Sequence, residues 1–122
     1  MARFIIAGVT GALAVVAGAS GAHGKWAQHL EQIGRLDQWQ TAVHYQMVHA
    51  VVLLALAFAV NAAATSKASK IAFGLIFAGV VLFSGSLYVL CFTDVSKWGA
   101  VTPFGGLAMI AGWVACCFCG RR

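Results

Sequence analysis

Four apolar stretches divide the chain: Phe4 to Ala22, Ala42 to Ala64, Ile71 to Phe92, and Val101 to Phe118. Each approaches the roughly 20 residues that a helix needs to cross a hydrocarbon core about 30 Å thick. In lipid a segment must satisfy its backbone internally, so each stretch is expected to be a helix rather than an open strand. The expected fold is an all-α integral membrane protein, a compact bundle of four transmembrane helices. The helices fall at about 4–22, 38–63, 67–91 and 103–119, with a short interfacial segment at about 27–37. They occupy nearly all of the 122 residues, so little of this sequence remains for a soluble catalytic domain.

Composition and charge agree with a lipid solvent. The chain is 61% hydrophobic and only 9% charged, outside the range of ordinary soluble domains. Its net charge of +5 forms no Lys/Arg stripe with aromatic platforms, so nucleic acid is not an expected partner. If the runs alternate across the membrane, Arg3, Lys67, Lys70, Arg121 and Arg122 share one side, and Lys25, Arg35 and Lys97 the other. The acids Glu31, Asp37 and Asp94 join the second group. This bias places both termini in the cytoplasm by the positive-inside tendency, with Trp26, Trp39 and Trp98 at the outer boundary. Arg3, the first apolar run and Ala17-Gly18-Ala19 also have the layout of a cleavable secretory signal. The run is nevertheless long enough to span, and its small residues are also what helix packing requires.

Small residues recur at helical spacing. Ala7, Gly11, Ala14, Gly18 and Ala22 follow one another by four, three, four and four. Because helices in lipid associate largely through close backbone approach, this stripe predicts an inner, tightly packed first helix. Gly74, Ala78 and Gly85 suggest a similar face on the third span, and Gly105 and Gly112 one on the fourth. Asp37 with Gln40 reads as a capping box for the second span. Ser66 is expected to cap the third, and Thr102-Pro103 to start the fourth. Between the first two spans, Leu30, Ile33 and Leu36 recur by three, which fits a helix lying in the headgroup layer. Gly34 keeps an irregular loop open as the alternative.

The segments GASGAHGKW at 18–26, WQTAVHYQMVHA at 39–50, FSGSLYVLCFTD at 83–94 and TPFGGLAMIAGW at 102–113 occur in order along the chain. Together they resemble the YgdD/YwdK family of small bacterial inner-membrane proteins, a domain of unknown function with eukaryotic relatives. The resemblance implies four transmembrane helices, an uncleaved first helix and a bacterial inner-membrane location. It assigns no activity and carries over no catalytic or ligand-binding residue. Ser20 stands where the family is associated with a larger residue, and the tail CCFC at 116–119 is not a family mark.

The chemistry available in the spans is sparse. Alternation gathers His23, Tyr45, Gln46, His49, Ser84 and Tyr88 in one half of the bundle. Tyr45 and His49 share a helix face, as do Gln46 and His49. One account is interhelical hydrogen bonding, in which Gln46 and His49 meet Ser84 or a backbone carbonyl. The other is an outward-facing pocket for a small apolar molecule such as a lipid or quinone, with His49 and Tyr45 as donors. His23 and His49 are the pair to test for axial haem ligation, but there is no CxxCH motif, and no cofactor or metal is expected. Cys91 is set apart from Cys116, Cys117 and Cys119 by about 30 Å of hydrocarbon. The cysteines are expected to serve as small apolar side chains. No Asp or Glu lies in a span, and HExxH, GxSxG and phosphate-loop motifs are missing, which argues against an enzyme. The expected role is therefore structural or accessory, with membrane lipids as partners and another membrane protein or a second copy as further ones. Ligand binding is the alternative.

Overall fold

The structure is a computed structural model that describes residues 1–120. In chain order it contains α1 (Ala2–Ala22), α2 (Lys25–Gln32), α3 (Leu36–Asn61), α4 (Lys67–Thr93), one 3-10 segment (Ser96–Ala100) and α5 (Thr102–Cys116). Four segments are long and apolar enough to cross a membrane: α1, α3, α4, and Ser96–Cys116, which joins the 3-10 segment to α5. The 15 residues of α5 rise only about 22 Å. The 3-10 segment lengthens this span at one end. At the other, i to i+3 bonds from the amides of Cys117, Phe118 and Cys119 tighten the last turn. Arg121 and Arg122, which contribute to the expected charge bias, lie outside the described residues.

The helix starts and stops follow local chemistry. Ser66 accepts a hydrogen bond from the Ser69 amide at 3.1 Å and caps α4. The expected capping box at Asp37 and Gln40 does not form. Instead α3 begins at Leu36, and Asp37 sits in its first turn, where a carboxylate favours the positive end of the helix dipole. Thr102 likewise is the first residue of α5 rather than its cap, because its hydroxyl is engaged by Ser86 at 2.6 Å. The segment after α1 is helical over Lys25–Gln32, shorter than expected. It stops at Gly34, whose φ of 71° allows the Arg35 amide to reach the Leu30 carbonyl at 2.8 Å. That bond, with Gly34 N–H to Glu31 O, is a Schellman turn.

Among the long helices, the packed pairs are α1 with α3, α3 with α4, and α4 with α5. The spans thus stand in the spatial order α1, α3, α4, α5, with α3 and α4 central. Met1 and the α3–α4 loop lie at one end, here the terminal end. There Phe4 meets Phe58 edge-on with centroids 4.9 Å apart, and the Arg3 guanidinium lies 5.8 Å from the Phe73 ring centroid. At the far end α2 lies over the bundle, and Leu30 is fully buried with Trp39, Leu90 and Cys91. Arg35 pins this end by donating to Asp94 at 2.8 Å and to Ser96 at 2.9 Å.

The α4–α5 contact is the closest. A Cβ on Gly79 would stand 2.9 Å from the Gly105 carbonyl oxygen, and one on Gly105 would stand 2.8 Å from Phe83 Cα. Gly112 abuts Ile76 in the same way, its added Cβ falling 2.7 Å from Ile76 Cγ1. Two expectations change here. First, α1 is peripheral: Ala7 and Ala14 are buried, but Ile5, Val9, Leu13, Val15 and Val16 are exposed. Its small stripe serves one neighbour, with Gly11 facing Ala50 and Gly18 facing Val43, while Ala22 is exposed. The bulky remainder suits lipid. Second, Gly74 and Ala78 lie on the exposed side of α4, and nothing lies within 4 Å of a Cβ added to Gly74 or Gly85. Gly79 makes the approach instead, because the large side chains Phe73, Ile76 and Val80 fix which side of α4 is buried.

These distances predict that Gly105→Ala and Gly79→Ala each destabilise the protein by about 1–3 kcal/mol, the usual cost of overpacking. Gly74→Ala should change stability by no more than roughly 1 kcal/mol, in the stabilising direction if at all. Equilibrium unfolding of the three variants in one detergent compares them. Equal loss at Gly74 and Gly105 would contradict the assigned α4–α5 contact.

Candidate functional site

A polar side chain held among helices in lipid has little water to bond, so its partners must come from neighbouring helices or its own backbone. Helix α3 carries most of this chemistry. Gln46 is buried and uses both ends of its amide. Its Nε2 donates to the Thr10 carbonyl of α1 at 2.9 Å, and its Oε1 accepts from the Tyr88 hydroxyl of α4. One turn earlier, the Ala42 carbonyl accepts from Ser84 Oγ at 2.7 Å, a second bond between α3 and α4. Thr10 closes its own hydroxyl onto the Ile6 carbonyl at 2.7 Å.

His49 is also buried, 5% exposed, and faces α5. Its Nδ1 lies 2.7 Å from the Tyr45 carbonyl, and its Nε2 accepts from Trp113 Nε1–H at 3.0 Å. A carbonyl can only accept and an indole N–H can only donate, so these partners select the neutral ring protonated on Nδ1. Both ring nitrogens are then in use. Tyr45 differs. It is 40% exposed, its ring lies parallel to that of His49 at 6.0 Å and against Phe83 at 4.4 Å.

The six candidate residues therefore do not form one pocket. Gln46, Ser84 and Tyr88 tie α3 to α4, with Gln46 also reaching α1. His49 ties α3 to α5, and Tyr45 lies on the surface beside it. His23 is exposed at the far end, where it lines a polar cavity of about 480 Å³ with Gln28, Glu31 and Gln40. The His23 and His49 pair considered for axial ligation is thus divided between an exposed site and a buried ring already bonded on both sides. Among the described residues no three or more His, Cys, Asp or Glu side chains converge as a metal site. Cys91 is buried beside the Arg35 carbonyl at 3.6 Å, remote from the three thiols of the tail.

Three participants escape a reading of the sequence. Trp113 is the donor to His49; an indole N–H in mid-span requires an acceptor, and that requirement is the signal. Thr10 supplies its carbonyl rather than its hydroxyl to Gln46, which no residue pattern announces. Trp39, expected in an interfacial belt, is only 5% exposed. Its indole N–H donates to the Ala17 carbonyl at 2.8 Å, and its ring meets Trp26, Tyr88 and Phe92. Gly21 makes room for it, since a Cβ there would fall 2.7 Å from Trp39 Nε1. Two buried polar atoms, Trp26 Nε1 and Gln38 Oε1, have no protein partner among the described residues, and both stand at the far end.

Beside this network, between α1 and α4, a groove of about 480 Å³ is walled by Ile5, Val9, Leu13, Phe77 and Val81 and floored by Gln46. A second hollow of about 360 Å³ shares Leu13, Gln46 and Tyr88 with it and continues to Trp39 and Phe92.

The sequence has clear relatives. Residues 17–106 match the family described as "Protein of unknown function (DUF423)". The chain is 44% identical over 115 residues to the UPF0382 membrane protein YwdK of Bacillus subtilis strain 168, covering 93% of this chain and 92% of that one. It is 42% identical over 115 residues to the UPF0382 membrane protein SAB0533 of Staphylococcus aureus, covering 93% and 91%. No solved structure matches the chain. A polytopic helical architecture and relatives above two-fifths identity along nearly the whole length lead to one conclusion: the chain belongs to the YwdK-like UPF0382 (DUF423) family of bacterial membrane proteins.

Proposed function

We propose that this protein acts as a structural or accessory component of the bacterial cytoplasmic membrane, with both termini on the cytoplasmic side. The observation that carries this reading is the use of both nitrogens of His49, by Tyr45 O and Trp113 Nε1. Gln46, the other strongly polar side chain in mid-span, is used at both ends as well. Groups committed to holding helices together are not free to move protons or take up a substrate. The orientation rests on the Lys/Arg bias of the sequence, Arg3, Lys67, Lys70, Arg121 and Arg122 against Lys25, Arg35 and Lys97. The second reading, a small apolar ligand held at Tyr45 and His49, draws on the exposure of Tyr45.

Three outcomes are expected. A double-mutant cycle over His49→Leu and Trp113→Phe should give a coupling of about 0.6 kcal/mol, with roughly 1.7 kcal/mol as the upper reach for polar pairs in membranes. Unfolding in detergent measures it, and zero coupling would remove the bond from the account. Tyr45→Phe and His49→Gln should leave the profile of small molecules extracted from the purified protein unchanged by mass spectrometry. Selective loss of one species from both variants, with folding intact, would move the conclusion to the ligand reading. For orientation, single cysteines in an otherwise cysteine-free chain at the exposed positions Gln32 and Ala64 should differ in intact cells. A membrane-impermeant thiol reagent should label Gln32→Cys and spare Ala64→Cys, and the reverse pattern would invert the topology.

A further inference from the structure

The groove between α1 and α4 has a definite shape and chemistry. Its α1 wall runs from Ile5 to Leu13 and its α4 wall from Phe77 to Tyr88. At 1.5 Å per residue these walls are about 12–17 Å long, half of a hydrocarbon core about 30 Å thick. Along α1 the groove begins near the terminal end, two residues beyond Arg3, and along α4 it runs past mid-helix to Tyr88, five residues short of Thr93. Its walls are hydrocarbon, and the polar atoms of Thr10, Gln46 and Ser84 on its floor already have protein partners. An occupant can offer nothing but apolar surface. A single hydrocarbon chain is slender enough to lie in the groove.

The end of the groove supplies a headgroup contact. Arg3 stands two residues before Ile5, where the α1 wall begins, and Phe73, over which its guanidinium is placed, stands one turn before Phe77 on α4. The one ion pair among the described residues joins Arg35 to Asp94 at the opposite end, so Arg3 has no carboxylate partner there. Lys67 and Lys70 share the terminal end with Arg3, and Glu31, Asp37 and Asp94 are all at the far end. That asymmetry complements an anionic headgroup.

We propose that the α1–α4 groove binds one anionic phospholipid from the leaflet at the terminal end, with an acyl chain between Val9 and Gly85 and the phosphate at Arg3. Gly85 gives the groove its depth. It lines the α4 wall, and a Cβ added there meets nothing within 4 Å, so a larger side chain is accommodated at this position without displacing backbone. None of the lining residues belongs to the His49–Trp113 pair, and the site stands or falls independently of the role assigned to that pair.

The test uses the purified full chain in mild detergent, with phosphatidylglycerol or phosphatidylcholine of identical acyl chains added in turn, read by native mass spectrometry. Wild type should retain one phosphatidylglycerol per chain, at least fivefold more than phosphatidylcholine. Gly85→Phe and Val9→Phe fill the groove from opposite walls, and each should cut retention of both lipids at least tenfold, with helicity by circular dichroism confirming the fold. If one variant fails to fold, the other decides. Arg3→Gln should keep chain binding but abolish the preference for phosphatidylglycerol. Undiminished lipid on the two filled variants, or no retained lipid on wild type, would overturn the site. A preference that survives Arg3→Gln would overturn the headgroup assignment. A wild-type dimer that Gly85→Phe separates would show the occupant to be a second copy.

Discussion

The scarcity of water along α3 governs the structure around it. A buried polar group in hydrocarbon costs several kcal/mol when unpaired, so Gln46 and His49 are tolerated only where other helices bring partners to them. Gln46 bonds α1 and α4, and His49 bonds α5. Two side chains three residues apart on one helix thus engage all three other spans. Each bond is worth little net, since polar pairs in membranes average about 0.6 kcal/mol. The penalty for mispairing is larger than the gain from pairing. These residues accordingly select one arrangement of the helices more than they add to its stability.

Tightness comes from a different source. Where α4 crosses α5, Gly79 and Gly105 bring backbones together so closely that a methyl group on either would collide with the other helix. Dispersion between backbones at that distance acts over many atoms, and it replaces the hydrophobic term that lipid cannot supply. Helix α1 has no such crossing. It is held to α3 by Gly11, Gly18, the Gln46 amide and the Trp39 indole. A span attached along one edge leaves room on its other side, and the α1–α4 groove is that room.

Residue types and runs announced the four spans, the short helix between the first two and the Ser66 cap, because length, apolarity and local hydroxyl chemistry act within a few residues. What the sequence could not give was the rotation of each helix. Gly74, Ala78 and Gly85 are as regularly spaced as a packing stripe, and Gly79 is one residue out of phase with Ala78. The bulk of Phe73, Ile76 and Val80 decides between them, and that bulk is read only against the neighbouring helices. Similarly, Tyr45 and His49 were legible as sharing a face, but the partner that fixes His49 is Trp113, 64 residues away. Backbone acceptors such as Thr10 O and Ala17 O carry no residue signature whatever.

The distribution of satisfied groups constrains where any activity of such a chain would have to take place. Gln46 and His49 are closed upon the bundle, and glycine crossings bring α4 close against α5. What remains accessible lies on the outside of the bundle and belongs to two different solvents. One is the hydrocarbon-lined groove between α1 and α4, open to lipid. The other is the far-end cavity lined by His23, Gln28, Glu31 and Gln40, whose side chains are exposed and free of ion pairs among the described residues. Between them stands Trp39, bonded to α1, edge-on to Trp26 of α2 and Tyr88 of α4, and buried at the start of α3.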